Sequence, residues 1–348
     1  MSKIKVGILG ATGNVGQRFV QLLSDHPWFE ISNLCASERS AGKPYKEVVN
    51  WKVSASVPKE VENLVVGLCE PNIDARIVFS GLDSSVAGEI EEKFAKAGYV
   101  VISNSKNHRM DPDVPLLIPE VNPDHLALVE QQKKRFGRGG FIVTNPNCTT
   151  VGLTMVLKPL HDAFVIKQVV VSTMQALSGA GYPGVPSLDT IDNVIPYIGD
   201  EEEKVETEPL KLLGKFSNGK ITPSSIKIDA YCNRVSVRDG HLETVTLEFE
   251  KKPYVNEVIK VLENFTSVPQ ELKLPSAPKQ PIVYRKEDDR PQPLLDKDIS
   301  NGMSVSVGRI RKSKVMDIRL TLLVHNTIRG AAGAAILNAE LLKAKNLL

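Results

Sequence analysis

The 348-residue chain holds only four cysteines, Cys35, Cys69, Cys148 and Cys232, with no Cys-x-x-Cys pair among them. That scarcity argues against a disulfide scaffold and against a cysteine-built zinc site. Its six histidines carry no H-E-x-x-H or comparable ligand spacing, so the sequence suggests no metal centre. No stretch approaches the run of about 18 apolar residues that a spanning helix needs, so no membrane role is expected. An excess of one charge is also missing. The 43 basic and 41 acidic residues leave a net charge of +2, too little for a nucleic-acid-binding field. The opening residues, MSKIKVGILGATG, enter a strand-like run without an apolar signal core, which leads us to expect a cytoplasmic protein.

What is present suits two cores. Hydrophobic residues make up 42% and charged residues 24%, and the length corresponds to two domains of about 150 residues. Residues 4–9 (IKVGIL) read as a buried strand. Gly10, Gly13 and Gly16 then punctuate a turn into an amphipathic helix with Val15, Phe19, Leu22 and Leu23 on one face. Strand-like runs follow at 29–36, 75–80 and 99–103, and a helical stretch between the last two aligns Val86, Ile90 and Phe94. Strands alternating with helices predict an α/β fold with a Rossmann-type, doubly wound parallel sheet.

A charged stretch, QQKKRFGRGG (131–140), separates this part from FIVTNPNCTT, and the texture then changes. Runs at 169–176, 234–250 and 315–325 read as longer strands, with helical segments VGLTMVLKPLHDAF and VNEVIKVLENF. We expect a first domain over 1–147, completed by a C-terminal helix at 326–348, and an α+β domain with a mixed sheet over 148–325. The proline-rich stretch 272–295 reads as an extended loop.

GATGNVG (10–16) follows a strand and opens a helix, where a dinucleotide's pyrophosphate can approach the backbone and meet the helix N-terminus. Gly10, Thr12, Gly13, Asn14 and Val15 are the candidate contacts. The second strand ends in CASERSAGK (35–43), where Ser37, Arg39 and Ser40 offer donors and a guanidinium to a 2′-phosphate. Glu38 keeps NAD possible, but NADP is the cofactor these residues favour.

Cys148 differs from the other cysteines. It follows a strand and Asn145-Pro146-Asn147 and precedes a helical run, so helix amides can stabilise its thiolate for covalent chemistry. His241, in RDGH (238–241), is the candidate proton partner. Arg238 lies three residues earlier, which on a regular strand puts it on the opposite face. Both can serve one site only if Asp239-Gly240 bends the chain.

The chain resembles the aspartate-β-semialdehyde dehydrogenase family, in its archaeal and fungal branch. The landmarks are GATGNVGQ, ASERSAGKPY, SNSKNHRMDPDVPLLIPEVN, TNPNCTT, QALSGAGYPGVPSLD, EEEK, RVSVRDGH and HNTIRGAAGAAILNAELL, in family order across almost the whole chain. The resemblance implies NADPH-dependent reductive dephosphorylation of β-aspartyl phosphate through a thioacyl enzyme. Cys148 matches the nucleophile, His241 the general acid/base and Gln175 the residue that orients the acyl group. Arg238 matches the arginine for the substrate carboxylate. Arg109, Asn107 and Lys204 match a phosphate pocket, Asn147 a further substrate contact, and Glu201 or Glu208 the partner of the ammonium. Ser178, Gly179 and Gly181 would flank the nicotinamide and Asn326 its carboxamide. Glu202 and Glu203 read as a solvated helix face. The resemblance also implies a homodimer or homotetramer built through the second, catalytic domain, with 183–215 at the contacts. The rivals are a malonyl- or succinyl-CoA reductase, an N-acetylglutamyl-phosphate reductase and a non-catalytic NADP-binding redox sensor. A CoA thioester needs neither a carboxylate clamp nor a small phosphate pocket.

Overall fold

The structure, a computed structural model, describes residues 2–53 and 56–348. Strands β1 (Ile4–Leu9), β2 (Phe29–Ala36), β3 (Gly67–Leu68), β4 (Ile77–Ser80), β5 (Val100–Ser103) and β6 (Phe141–Thr144) form one parallel sheet in the order β3-β2-β1-β4-β5-β6. β4, β5 and β6 are buried at every position, as short parallel strands covered on both faces must be. The strand order reverses between β1 and β4, so a crevice opens at their C-terminal ends. Gly10 adopts φ +76° there, and a Cβ at Gly16 would come within 2.2 Å of the Gly10 carbonyl oxygen. The turn and the Asn14–Leu23 helix therefore pack backbone against backbone.

The Ser84–Lys96 helix buries Ala87, Glu91, Phe94 and Ala95, one position round from the face we expected, and leaves Val86 exposed. The reason is Glu91, whose carboxylate accepts from Ser103 Oγ at 2.7 Å inside the domain. The C-terminal Gly333–Ala344 helix is buried from Gly333 to Leu342. Its Ala335, Ile336, Leu337 and Leu341 share a core with Val6, Ile8, Phe19, Phe79 and Ile102 of the first sheet.

The second sheet uses β7 (Ile166–Gln175), β10 (Lys227–Arg234), β11 (His241–Phe249), β12 (Ile282–Arg285), β13 (Val305–Lys312) and β14 (Ile318–Val324). The order is β10-β7-β11-β14-β13-β12, and a small hairpin, β8 (Lys215–Ser217) with β9 (Lys220–Thr222), stands apart. The sheet is mixed, with β10 parallel and β11 antiparallel to β7. The Cys148–Phe164 and Val255–Glu263 helices pack on one face through Leu153, Leu157, Val258 and Leu262.

Three sequence expectations are corrected here. The single strand expected over 234–250 is the last residue of β10, a connection across the end of β7, and the whole of β11 on the other side of β7. The 272–295 stretch is not wholly a loop, since it contains β12 and enters the Pro293–Asp296 helical turn. Glu202 is not a merely solvated charge. Its carboxylate accepts from Cys232 N, as Glu206 does from Ala230 N, which blunts the exposed edge of β10.

Candidate active site

Three parts of the fold converge on one cavity of about 660 Å³: the glycine turn after β1, the start of the Cys148–Phe164 helix, and the adjacent ends of β7, β10 and β11. Asn147 caps the helix, its Oδ1 accepting from Thr149 N and Thr150 N. Cys148 is thus the first helical residue, with its thiol half-buried in the cavity wall.

The last residue of β7, Gln175, pairs in register with Arg234, the last residue of β10. His241 opens β11 on the other side of β7. One row of side chains, Arg234, Gln175 and His241, therefore lies across the sheet end beneath Cys148. Sγ of Cys148 is 3.2 Å from Nε2 of His241. On the far side of the ring, Ala176 N–H donates to His241 Nδ1 at 3.0 Å. A ring nitrogen that accepts cannot carry the proton, so neutral His241 holds it on Nε2 and points an N–H at the sulfur. Burial, aided by Arg234 and His325, pushes the imidazole down to about 3. Burial pushes the Cys148 thiol up to about 12, with Glu201 adding to the rise and Arg109 and Arg234 opposing it. The surroundings thus favour the neutral form of both groups.

Fixed charges of both signs ring the sulfur. Arg234 is buried, and its Nη1 donates to Ala176 O at 2.7 Å. Arg109 donates through Nη1 to Glu208 and through Nη2 to Asn104 O, both at 2.8 Å. Its buried Nε has no hydrogen-bond partner among the described residues, nor has Gln175 Nε2. Those idle donors suit an anion and a polarised carbonyl oxygen. Glu201 accepts from Asn147 Nδ2 and lies 3.1 Å from Lys204 Nζ, and both line the cavity.

Packed directly against Cys148 is a π-helical turn, Ile328–Ala332. A Cβ on Gly330 would sit 2.7 Å from Cβ of Cys148, so only glycine fits there. Arg329, fully buried, holds this turn through a two-pronged bond to Glu120 at 2.9 and 2.5 Å. One row behind His241, Glu243 is fully buried beside Thr173, and neither carboxylate oxygen has a hydrogen-bond partner among the described residues. Burial raises its pKa well above the usual carboxylate range, so it is a neutral acid.

The semialdehyde dehydrogenase NAD-binding domain model matches residues 5–129, and the semialdehyde dehydrogenase dimerisation domain model matches 157–329. The aspartate-semialdehyde dehydrogenase of Archaeoglobus fulgidus is 55% identical over 341 residues, covering 98% of both chains. That of Methanothermobacter thermautotrophicus is 52% identical over 343 residues, covering 97% of this chain and 99% of the relative. The chain belongs to the aspartate-semialdehyde dehydrogenase family. The crystal structure of the Candida albicans aspartate-semialdehyde dehydrogenase with NADP superposes with a TM-score of 0.92 at 46% identity, covering 100% of each chain.

Among the residues singled out from the family pattern, Thr12, Gly13, Asn14, Val15, Arg109, Asn147, Cys148, Gln175, Ser178, Gly179, Gly181, Glu201, Lys204 and Asn326 line this cavity. Gly10 shapes it from behind, and Ser37, Arg39 and Ser40 lie in the turn after β2, outside the cavity. Asn326 is already engaged, donating to Ser178 Oγ and accepting from Gly240 N, which fixes the turn leading into His241.

Three residues are placed differently from that pattern. Arg238 is not in the Cys148 cavity. Its exposed side chain lies in the 235–240 connection, donates to Lys52 O and lines a neighbouring cavity with Arg18 and Lys52. Arg234, which sequence reasoning missed, takes the place by Cys148. Asn107 is exposed outside the cavity, and its side chain bonds Ser105 and Ser84 O; Asn104, Ser105 and Lys106 line the wall instead. Glu208 is committed to Arg109 and to Asn147 N, which leaves Glu201 as the carboxylate facing the cavity.

Proposed function

We propose that this chain is an NADP-dependent aspartate-semialdehyde dehydrogenase that converts β-aspartyl phosphate reversibly to aspartate β-semialdehyde through a thioester on Cys148. The observation that carries this is the Cys148–His241 contact of 3.2 Å, set between a glycine turn and the cations Arg109 and Arg234.

The cofactor fits the residues present. Gly13 ends the turn without a side chain to fill the helix N-terminus, and a Cβ on Gly179 would press within 3.0 Å of Arg234 Nη1. Thr12, Gly13, Asn14 and Val15 would hold the pyrophosphate, and Ser178, Gly179 and Gly181 the nicotinamide end. When bound, NADPH supplies the hydride.

The chain's own groups do the rest. Arg234 pairs with the substrate carboxylate and Glu201 with its ammonium, while Arg109 and Lys204 receive the phosphate. Arg109, Arg234 and the helix amides favour ionisation of Cys148 once the substrate is bound. The thiolate attacks the acyl carbon, the carbon–oxygen bond to phosphate breaks, and inorganic phosphate leaves as its monohydrogen dianion, taking up the proton that the thiol released. Gln175 Nε2 and backbone amides at the helix start donate to the carbonyl oxygen. After reduction the carbon–sulfur bond breaks, and His241 Nε2–H stabilises the departing sulfur. This gives His241 the acid half of the acid/base role.

The family's dimerisation domain supports a homo-oligomer, and the second domain leaves Leu188, Ile191, Val194, Tyr197 and Tyr231 exposed. Among the described residues no helix is long and apolar enough to cross a membrane. The test is to supply aspartate semialdehyde, inorganic phosphate and NADP and to follow NADPH absorbance. Silence there, with NADPH oxidation by malonyl-CoA, would replace this reading with the CoA reductase.

A further inference from the structure

Lys211 is buried, yet it does not line the cavity. Its Nζ donates to the carbonyl oxygens of Arg109 at 2.7 Å, Asp111 at 2.7 Å and Val114 at 2.9 Å. An ammonium has three donors, and all three are used on one six-residue segment, 109–114. Burying a cation is costly unless its donors are met, so this one acts as a clamp on the main chain of that segment.

The clamped segment carries Arg109. Glu208, three residues before Lys211 on the Glu201–Leu212 helix, grips the Arg109 guanidinium at 2.8 Å. Positions 201, 204, 208 and 211 fall on one face of that helix. One helix therefore meets the substrate cavity with Glu201 and Lys204 and secures Arg109 at both ends, the guanidinium through Glu208 and the backbone through Lys211. We propose that Lys211 is a positioning residue for Arg109, fixing residues 109–114 so that the guanidinium presents a constant set of N–H donors to the substrate's phosphate. The inference rests on the phosphate role assigned to Arg109 above.

The charges that face Lys211 are Asp111 and Asp113 from the segment itself and Glu208 from its own helix, with His125 also near. Burial lowers the ammonium to about 8 against the pull of those carboxylates. As pH rises through that value the amine keeps two donors for three carbonyls, and the clamp loosens.

The experiment compares the wild type with Lys211→Met in the phosphorylating direction. The expected result is a KM for inorganic phosphate raised about ten- to a hundredfold, with the KM values for semialdehyde and NADP nearly unchanged. Equal losses in all three, or an unchanged phosphate KM, would overturn the proposal. Should Lys211→Met fail to fold, the wild type decides: its phosphate KM should climb as pH passes about 8, where phosphate is already largely dianionic, and a flat profile refutes the clamp. Phosphorus NMR line broadening reads phosphate binding without turnover. An inactive wild type that binds phosphate in a Lys211-dependent way would sink the proposed reaction and keep the clamp.

Discussion

The sulfur of Cys148 lies 3.2 Å from Nε2 of His241, and Ala176 N–H on the far side of the ring leaves that nitrogen only a proton to offer. The pair is therefore a thiol beside a neutral imidazole, not a preformed ion pair. Papain-type pairs gain reactivity from a thiolate already present at neutral pH. In the reaction proposed above, ionisation waits for the substrate.

Alkylation kinetics test this. With the thiol pushed up to about 12, ligand-free Cys148 should react with iodoacetamide more slowly at neutral pH than a free cysteine. The rate should rise with pH without levelling off near neutrality, followed by mass spectrometry of the Cys148 peptide. A plateau near neutral pH would mean that the ion pair exists after all. Cys148→Ser should keep NADP binding and lose turnover.

Arg234 and Arg238 make a matched contrast. Arg234→Leu removes a buried cation beside the sulfur and should lower kcat/KM for semialdehyde by about a hundredfold. Arg238→Leu touches an exposed side chain outside the cavity and should leave the kinetics close to wild type. The reverse pattern would return the carboxylate role to Arg238.

The placement of these two arginines shows what the sequence can carry. The glycine turn and the capped cysteine were legible because each is a local event, a strand meeting a helix within a few residues. The arginine was not. Two-residue periodicity assigns faces only inside a strand, and the chain leaves its strand at Arg234, crosses the end of β7 and re-enters at His241. Glu208 had a legible helical position, yet its partner Arg109 stands 99 residues away. Its choice between substrate and protein could be read only from the fold. The position of Asn107 outside the cavity was hidden for a related reason: a tight loop alternates which residues turn inward, and no period describes it.

Gly330 offers a steric test. A methyl group added there would press on Cβ, Cα and the carbonyl oxygen of Cys148, at 2.7, 3.0 and 3.1 Å, with no flexible side chain to give way. Gly330→Ala should displace the thiol and cut kcat by about a hundredfold, whereas NADP binding, measured by fluorescence titration, should survive. Wild-type kcat in this variant would show that the wall is softer than its contacts imply.

Glu243 gives a prediction with a definite sign in pH. Its folded pKa is raised, so above the ordinary carboxylate range the folded state keeps a proton that the unfolded state has lost. Stability from this group is thus fully present at acid pH and declines as pH rises. Glu243→Gln lacks that decline. Its Tm should match the wild type at about pH 4 and exceed it increasingly towards neutrality. A gain that did not grow with pH would mean that Glu243 is ionised in the fold.

The Gly333–Ala344 helix completes the core of a domain whose sheet was finished at Thr144. On the ribosome, the first 147 residues emerge with an apolar groove that its filler cannot reach until roughly 200 further residues have been made, about 10 to 40 seconds at ordinary elongation speeds. The second domain is translated in that interval and can settle first. The nucleotide-binding half would then close after the second domain, and a chain lacking residues 328–344 would have an exposed core and a gap beside Cys148. The segment that fills the first core follows directly on the turn that presses against Cys148, so closing that core and completing the wall of the site are one event.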